Sequence, residues 1–244
     1  MSGAADAAGG SFWERCHRLA RDEGLAPALE ALSGEVLPGL LPCGPHGHAV
    51  VTPRSLLKAE RAWCAGRPAE LQPGGPEELW SVELPGGTVV MARQEVAPTA
   101  EFRPPDRRAG WALGLVWLRL GLSEGLREAV VAHLRGRTAG DVPLLQLQLV
   151  KAAVADVLVE HLEVRAVLTG AAEGQLSAPL LEDLQRRLTD ADRAQVKLLG
   201  ASGYLADGPG QVAYVSELLA EAYAMAPKPE EPAARVGASG WRCW

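Results

Sequence analysis

The sequence predicts an α+β fold: a short N-terminal helix, a small antiparallel β-domain and a C-terminal four-helix bundle. Three observations predict it. Apolar residues recur every three to four positions over 12–34, short apolar runs broken by Gly and Pro fill 36–109, and long helical patterns follow from 110. These textures set the boundaries. A disordered tail covers 1–11, a helix 12–35, the β-domain 36–109, the bundle 110–226 and a flexible tail 227–244.

Taken in order, the tail MSGAADAAGGS offers little to bury and lacks the basic and apolar segments of a secretory signal. The first helix rests on Trp13, Leu19, Leu25, Leu29 and Leu32, with charges between them, and Gly34 and Pro38 end it. In the β-domain, LWSVEL and TVVMAR are strand-length runs on either side of a Pro-Gly-Gly turn, which is a hairpin signal. Four helical patterns follow over about 110–136, 142–171, 178–201 and 211–226. The second holds Leu149, Val150, Val154, Val157, Leu158, Leu162 and Val167, more apolar than a one-sided surface helix. That composition predicts burial inside the bundle or at an oligomer interface. Pro143 is expected in its first turn, where a missing N–H costs little.

The 244 residues are enough to bury a real core, and 48% hydrophobic with 22% charged residues is ordinary globular composition. A net charge of −6 argues against a nucleic-acid partner. No run of 18 uncharged apolar residues exists to span a membrane, so a cytoplasmic chain is expected. The chain has no Ile or Asn and far more Arg than Lys, a codon-bias signature that deprives the Arg excess of functional meaning. Cys16, Cys43, Cys64 and Cys243 are scattered and predict no disulfide framework. Cys43, His46 and His48 have metal-ligand spacing, but no second pair stands nearby to complete a structural zinc site, and no metal is expected.

Two stretches of the bundle carry a family resemblance. RTAGDVPLLQLQLVKAAVAD sets Arg137, Pro143, Gln148, Ala155 and Asp156 in one register. LLGASGYLADGP sets Gly200, Gly203, Tyr204 and Pro209 in a second. A third, ERAWCAG, carries Trp63 in the β-domain. In this order, residues 57–224 resemble the acyl-CoA dehydrogenases. The resemblance implies an FAD lying between β-domain and bundle across a subunit interface. It implies that Arg137 reaches the pyrophosphate of a neighbouring subunit's FAD, where a planar guanidinium binds phosphate oxygens in pairs. Gln148 would bond beside it, the Gly200–Gly203 turn would let backbone approach the dinucleotide, and Trp63 would cover the flavin.

The departures from the family matter as much. Its reaction removes the α-proton of an acyl thioester while hydride leaves the β-carbon for the flavin, which needs a carboxylate base. Counted from Pro209, the base position is Ala224; counted back from Arg137, the alternative position is Trp111. Neither side chain can take the proton. Ala65 replaces a hydroxyl that bonds the flavin, Gly140-Asp141 and Val215-Ser216 replace other family pairs, and most of the N-terminal helical domain is missing. Glu217, Glu221, Asp106 and Glu124 are the substitute bases to test. The expected function is a subunit of a homo- or hetero-oligomer with an acyl-CoA dehydrogenase-like chain, sharing or having lost FAD, in the desaturation of an acyl thioester on CoA or a carrier protein. The alternative is a flavin-free fold repurposed for cyclisation or isomerisation in natural-product biosynthesis.

Overall fold

In a computed structural model, which describes residues 11–64, 66–95, 107–171, 175–205 and 208–224, the predicted N-terminal helix is two helices. They are α1 (Phe12–Asp22) and α2 (Leu25–Val36). Ser11 and Glu14 form a reciprocal cap at the start of α1. Gly24 separates the helices at φ +100°, and a Cβ there would fall 2.0 Å from the Pro85 carbonyl oxygen. The apolar spacing runs straight through this break, which is why it reads as one helix. Ser11, read as the end of the disordered tail, belongs to the α1 cap; the rest of the predicted tails, Ala65, Asp106, Met225, Ala226 and Cys243 lie outside the described residues.

The β-domain holds β1 (Leu40–Cys43), β2 (His48–Val51), a short α3 (Pro53–Lys58), β3 (Arg61–Cys64), β4 (Arg67–Ala69), β5 (Glu77–Leu84) and β6 (Gly87–Arg93). Two three-stranded sheets result, ordered β1-β3-β4 and β2-β6-β5. The β5–β6 hairpin stands where the Pro-Gly turn predicts it, with Leu84 opposite Gly87. One pairing departs from the antiparallel expectation: β1 and β3 run parallel, in a register that sets Pro42 opposite Trp63 and Cys43 opposite Cys64. A parallel pair needs a crossover, and the β2–α3 segment between the two strands supplies it.

The bundle is α4 (Arg108–Arg135), α5 (Gln148–Gly170), α6 (Ala178–Leu199) and α7 (Gly210–Tyr223). The second helix begins at Gln148, later than its pattern predicts. Residues before it form a small ribbon, β7 (Thr138–Ala139) with β8 (Val142–Pro143), and a tight turn at Leu144–Gln146. Pro143 therefore pairs with Thr138 in the ribbon and is not in a helical turn. Helix α4 is apolar on nearly all sides, and a helix of that kind belongs at the centre. It packs on α1, α2, α5, α6 and α7. Leu29, Leu32, Val50, Trp63, Trp111, Leu118 and Leu219 join the N-terminal helices, the sheets and the bundle in one core. Val116, Leu120, Val164, Leu184 and Leu188 form a second core among α4, α5 and α6.

Helix α5 corrects half of its expectation. It buries only Val157, His161, Val164 and Leu168. Leu149, Val159 and Leu162 are 85%, 52% and 56% exposed. Burial inside the bundle is excluded for this face, and the interface alternative is left. No described helix is long and apolar enough to cross a membrane.

Candidate functional site

Five elements enclose a cavity of about 590 Å³. The first turns of α4 and α6 supply Trp111, Leu115 and Leu181, the end of α7 supplies Tyr223 and Ala224, and β1 and β3 supply Cys43 and Trp63. On each long helix the lining residues recur at three and four positions, so one face of each looks inward. Trp63, Trp111, Leu115 and Leu181 are buried and form the floor, whereas Arg108, Glu182, Arg186 and Glu221 are exposed and form the rim. Trp111 packs edge-on against Trp63, with ring centres 6.5 Å apart, and against Tyr223 at 5.3 Å.

Tyr223 fixes the end of α7 to the sheets. Its hydroxyl accepts from the Val50 N–H at 3.2 Å and lies 3.1 Å from the Pro42 carbonyl oxygen, to which it donates. Burial pushes this phenol well above its ordinary range, so it remains a neutral tether. The next residue, Ala224, thereby stands at the cavity wall. Both positions counted from the motifs, Trp111 and Ala224, converge on this one cavity with Trp63.

The substitute bases separate clearly. Glu221 lies on the rim, exposed, and is joined there by Glu182, which the sequence did not single out. Glu217 is tied to Arg193 and does not line this cavity. Glu124 is a structural anion: Arg165 donates to it at 2.6 Å and His17 lies 3.1 Å away. Burial raises its pKa, but these hydrogen bonds and charges outweigh burial and hold it at about 2. It stays ionised and too weak a base for α-proton removal. Asp106 lies outside the described residues.

Arg137, Gln148, Gly200 and Gly203 sit elsewhere. Trp111 is near the start of α4 and Arg137 just beyond its end. At 1.5 Å per residue the 24 steps from Trp111 to Arg135 already span about 36 Å. Arg137 is exposed, with one guanidinium nitrogen 3.4 Å from the Ser202 hydroxyl, so the α4 end meets the Gly200–Tyr204 turn. Gln148 is also exposed. Gly200 adopts φ +57° as the cap of α6, and a Cβ on it would meet nothing within 4 Å. Gly203 is different: a Cβ would fall 2.7 Å from the Val196 carbonyl oxygen, so close packing on α6 accounts for this glycine. A second cleft of about 440 Å³ opens beside it, lined by Lys197, Arg193, Tyr204 and Tyr214. Exposed Arg137 and Lys197 offer donors at this end, but Arg193 is tied to Glu217 and Asp192 also lines the cleft; the apolar cavity lies at the other end. One chain does not bring the two within reach of a single dinucleotide.

Sequence reasoning missed a buried polar network in the bundle. Arg119, fully buried, donates to Ser216 at 2.9 Å, to the Gln185 side chain at 2.6 Å and to Thr189 at 2.8 Å. Ser216 in turn donates to Asp192 at 3.1 Å, and burial raises the Asp192 carboxyl to about 6. Ser123 lies 2.8 Å from the Nε2 of His161, whose pKa burial and Arg127 lower to about 4. None of these four titratable groups lines the cavity. Among the described residues no group of three His, Cys, Asp or Glu could hold a metal; Cys43 is buried, while His46 is exposed.

No protein-family model matches the chain, and no curated protein does. Solved structures do match in fold. A glutaryl-CoA dehydrogenase from Mycobacterium smegmatis in complex with FADH2 shares 16% identity over 75% of this chain, with a TM-score of 0.51. A glutaryl-coenzyme A dehydrogenase in its glutaryl-CoA complex shares 13% over 73%, also with a TM-score of 0.51. An acyl-CoA dehydrogenase from Slackia heliotrinireducens shares 11% over 88%, with a TM-score of 0.53. The chain spans 58% and 56% of the two glutaryl-CoA enzymes and 70% of the third. At these identities the likeness is one of fold: the chain has an acyl-CoA dehydrogenase-like fold.

Proposed function

From that fold as premise, we propose that the chain is one subunit of an acyl-CoA dehydrogenase-like assembly, which desaturates an acyl thioester with an FAD that it shares with a partner chain. The observation that carries this reading is the separation of the two ends of α4. The cavity end has Trp63 and both base positions but no carboxylate at either, and the far end has exposed phosphate donors. Bound flavin would supply the hydride acceptor. Arg137, Gln148 and the Gly200 cap would grip the phosphates of a dinucleotide whose ring lies in the partner. Trp63, Trp111 and Leu181 would keep water from the acyl chain in this chain's own cavity. The proton acceptor would come from the partner.

An exposed face of α5 supports such a partner. On α5 the outward stripe Ala152, Ala155, Val159, Leu162 and Ala166 is exposed and carries no charge. Contiguous exposed apolar surface of this kind marks an interaction site. The competing reading, a flavin-free fold with non-redox chemistry, is favoured by the direct Trp63–Trp111 contact, which narrows the ring site.

The experiment is the visible absorbance of the chain purified alone and co-purified with a complete acyl-CoA dehydrogenase encoded beside it. Flavin only in the co-purified sample supports the shared site. A stable complex with no flavin overturns it in favour of the flavin-free reading.

A further inference from the structure

The parallel pairing of β1 with β3 brings two thiols together. Cys43 and Cys64 are the last residues of their strands and stand directly opposite each other in the register. Neighbouring strands run about 4.8 Å apart, inside the range of Cα separations that a disulfide bridges. The two side chains also point to one face. Leu41 and Cys43 of β1 share a core with Ala62 and Cys64 of β3, whereas Trp63, one step out of phase, packs into a different core. The neighbouring Cys43 thiol lowers the pKa of Cys64, and Cys64 raises that of Cys43. Both are buried, at 0% and 4% exposed. Cys16 is the contrast: among the described residues no other cysteine shares its core.

The pair sits at a joint of the fold. The ladder partner of β1 is β3. Beside Cys43, the Pro42 carbonyl accepts from the Tyr223 hydroxyl that holds the end of α7. On its other side Gly44 packs on α7, where a Cβ would fall 1.6 Å from the Ala222 carbonyl oxygen.

We propose that Cys43 and Cys64 are a redox-active pair that closes to a reversible disulfide and clamps β1 to β3, and with β1 the seat of α7. The oxidant is a small disulfide such as oxidised glutathione. The Cys64 thiolate attacks one of its sulfurs, which forms a mixed disulfide and releases one glutathione. The Cys43 thiolate then attacks the Cys64 sulfur and releases the second. The pair gives up two electrons and two protons, and the released glutathione thiolates take the protons. The proposal is independent of flavin and of any partner chain.

The test incubates reduced full-length protein with oxidised glutathione in sub-denaturing urea, so that local opening admits the reagent. The protein is then unfolded in iodoacetamide to block free thiols, and its peptides are mapped by mass spectrometry. The expected result is a Cys43–Cys64 cross-link, lighter by two hydrogens and undone by dithiothreitol, with Cys16 recovered as a blocked free thiol. The oxidised form should have a higher urea midpoint than the reduced form, because the bond constrains the unfolded chain, and Cys64→Ser should remove both the cross-link and the rise. Recovery of Cys43 and Cys64 as free thiols overturns the proposal, as does either one held as a glutathione adduct or bonded to Cys16 or Cys243. A cross-link that fails to raise the midpoint overturns it too, since such a bond distorts the register and does not clamp it. The mapping on the unaltered chain stands even if the variant does not fold.

Discussion

Glu124 shows how a single residue changes meaning once its neighbours are known. In sequence it is a charge on a helix, open to a catalytic reading. In the fold it is buried, 41 positions from Arg165 and 107 from His17, its two partners. Nothing in local spacing reveals such pairs. Its folded pKa of about 2 lies below the ordinary carboxylate value of 4.5. Acidification therefore protonates the unfolded chain first, and the stability that the pair contributes above about pH 4.5 is lost as pH falls towards 2. The shift corresponds to about 3 kcal/mol. His161 acts in the same direction at higher pH: buried neutral with a pKa of about 4, it favours the unfolded state as pH falls below 6.5. Asp192, raised to about 6, opposes both, because its folded form holds the proton more tightly. In urea titrations across pH, Glu124→Gln should lose the part of the slope that lies between pH 4.5 and 2; an unchanged slope there would remove Glu124 from the account.

At the scale of elements, helix periodicity was legible and its interruptions were not. Leu25, Leu29 and Leu32 continue the spacing of Trp13 and Leu19, so only Gly24's positive φ reveals that the chain turns. The run Leu144–Leu147 continues the apolar pattern of α5 although it forms a turn and not a helix. The β1–β3 pairing joins strands that are not sequential, and with it the neighbours Cys43 and Cys64, which no local pattern connects. One seam was present in the sequence but unread. Gly114, Gly121 and Gly125 face the N-terminal helices; a Cβ on Gly121 would fall 2.3 Å from the His17 carbonyl oxygen. That contact is with backbone and cannot rotate away. Gly121→Ala should destabilise the chain by about 1–3 kcal/mol through overpacking, read as a lower urea midpoint. A midpoint equal to that of the parent chain would mean that α1 can shift at no cost. The outer face of α5 yields a second expectation. Leu162→Glu, at a side chain 56% exposed, should leave the helical signal intact and dissociate the assembly in size-exclusion chromatography. An assembly that survives it is held by another face.

For the whole molecule, the candidate site was legible where motif spacing could be counted. Trp63, Trp111 and Ala224 lie 48 and 113 positions apart, yet Trp111 and Ala224, counted from two motifs, and Trp63, carried by a third, all line one cavity. The rim carboxylate Glu182 was not legible, since exposure follows from the fold. The remote position of Arg137 was expected only through the resemblance, and the length of α4 gives it a physical reason: one helix lines the cavity near its start and ends just before Arg137. We propose that the two ends of α4 serve different flavin sites. The most direct measurement is the flavin absorbance of the co-purified assembly carrying Arg137→Ala. Arg137 is exposed and among the described residues its guanidinium hydrogen-bonds only the Ser202 hydroxyl, at 3.4 Å, so the substitution should leave folding and assembly unchanged. The expected result is an intact complex in which flavin occupancy falls at least tenfold, as loss of a charge-assisted phosphate contact requires. An intact complex with its full flavin content would contradict it.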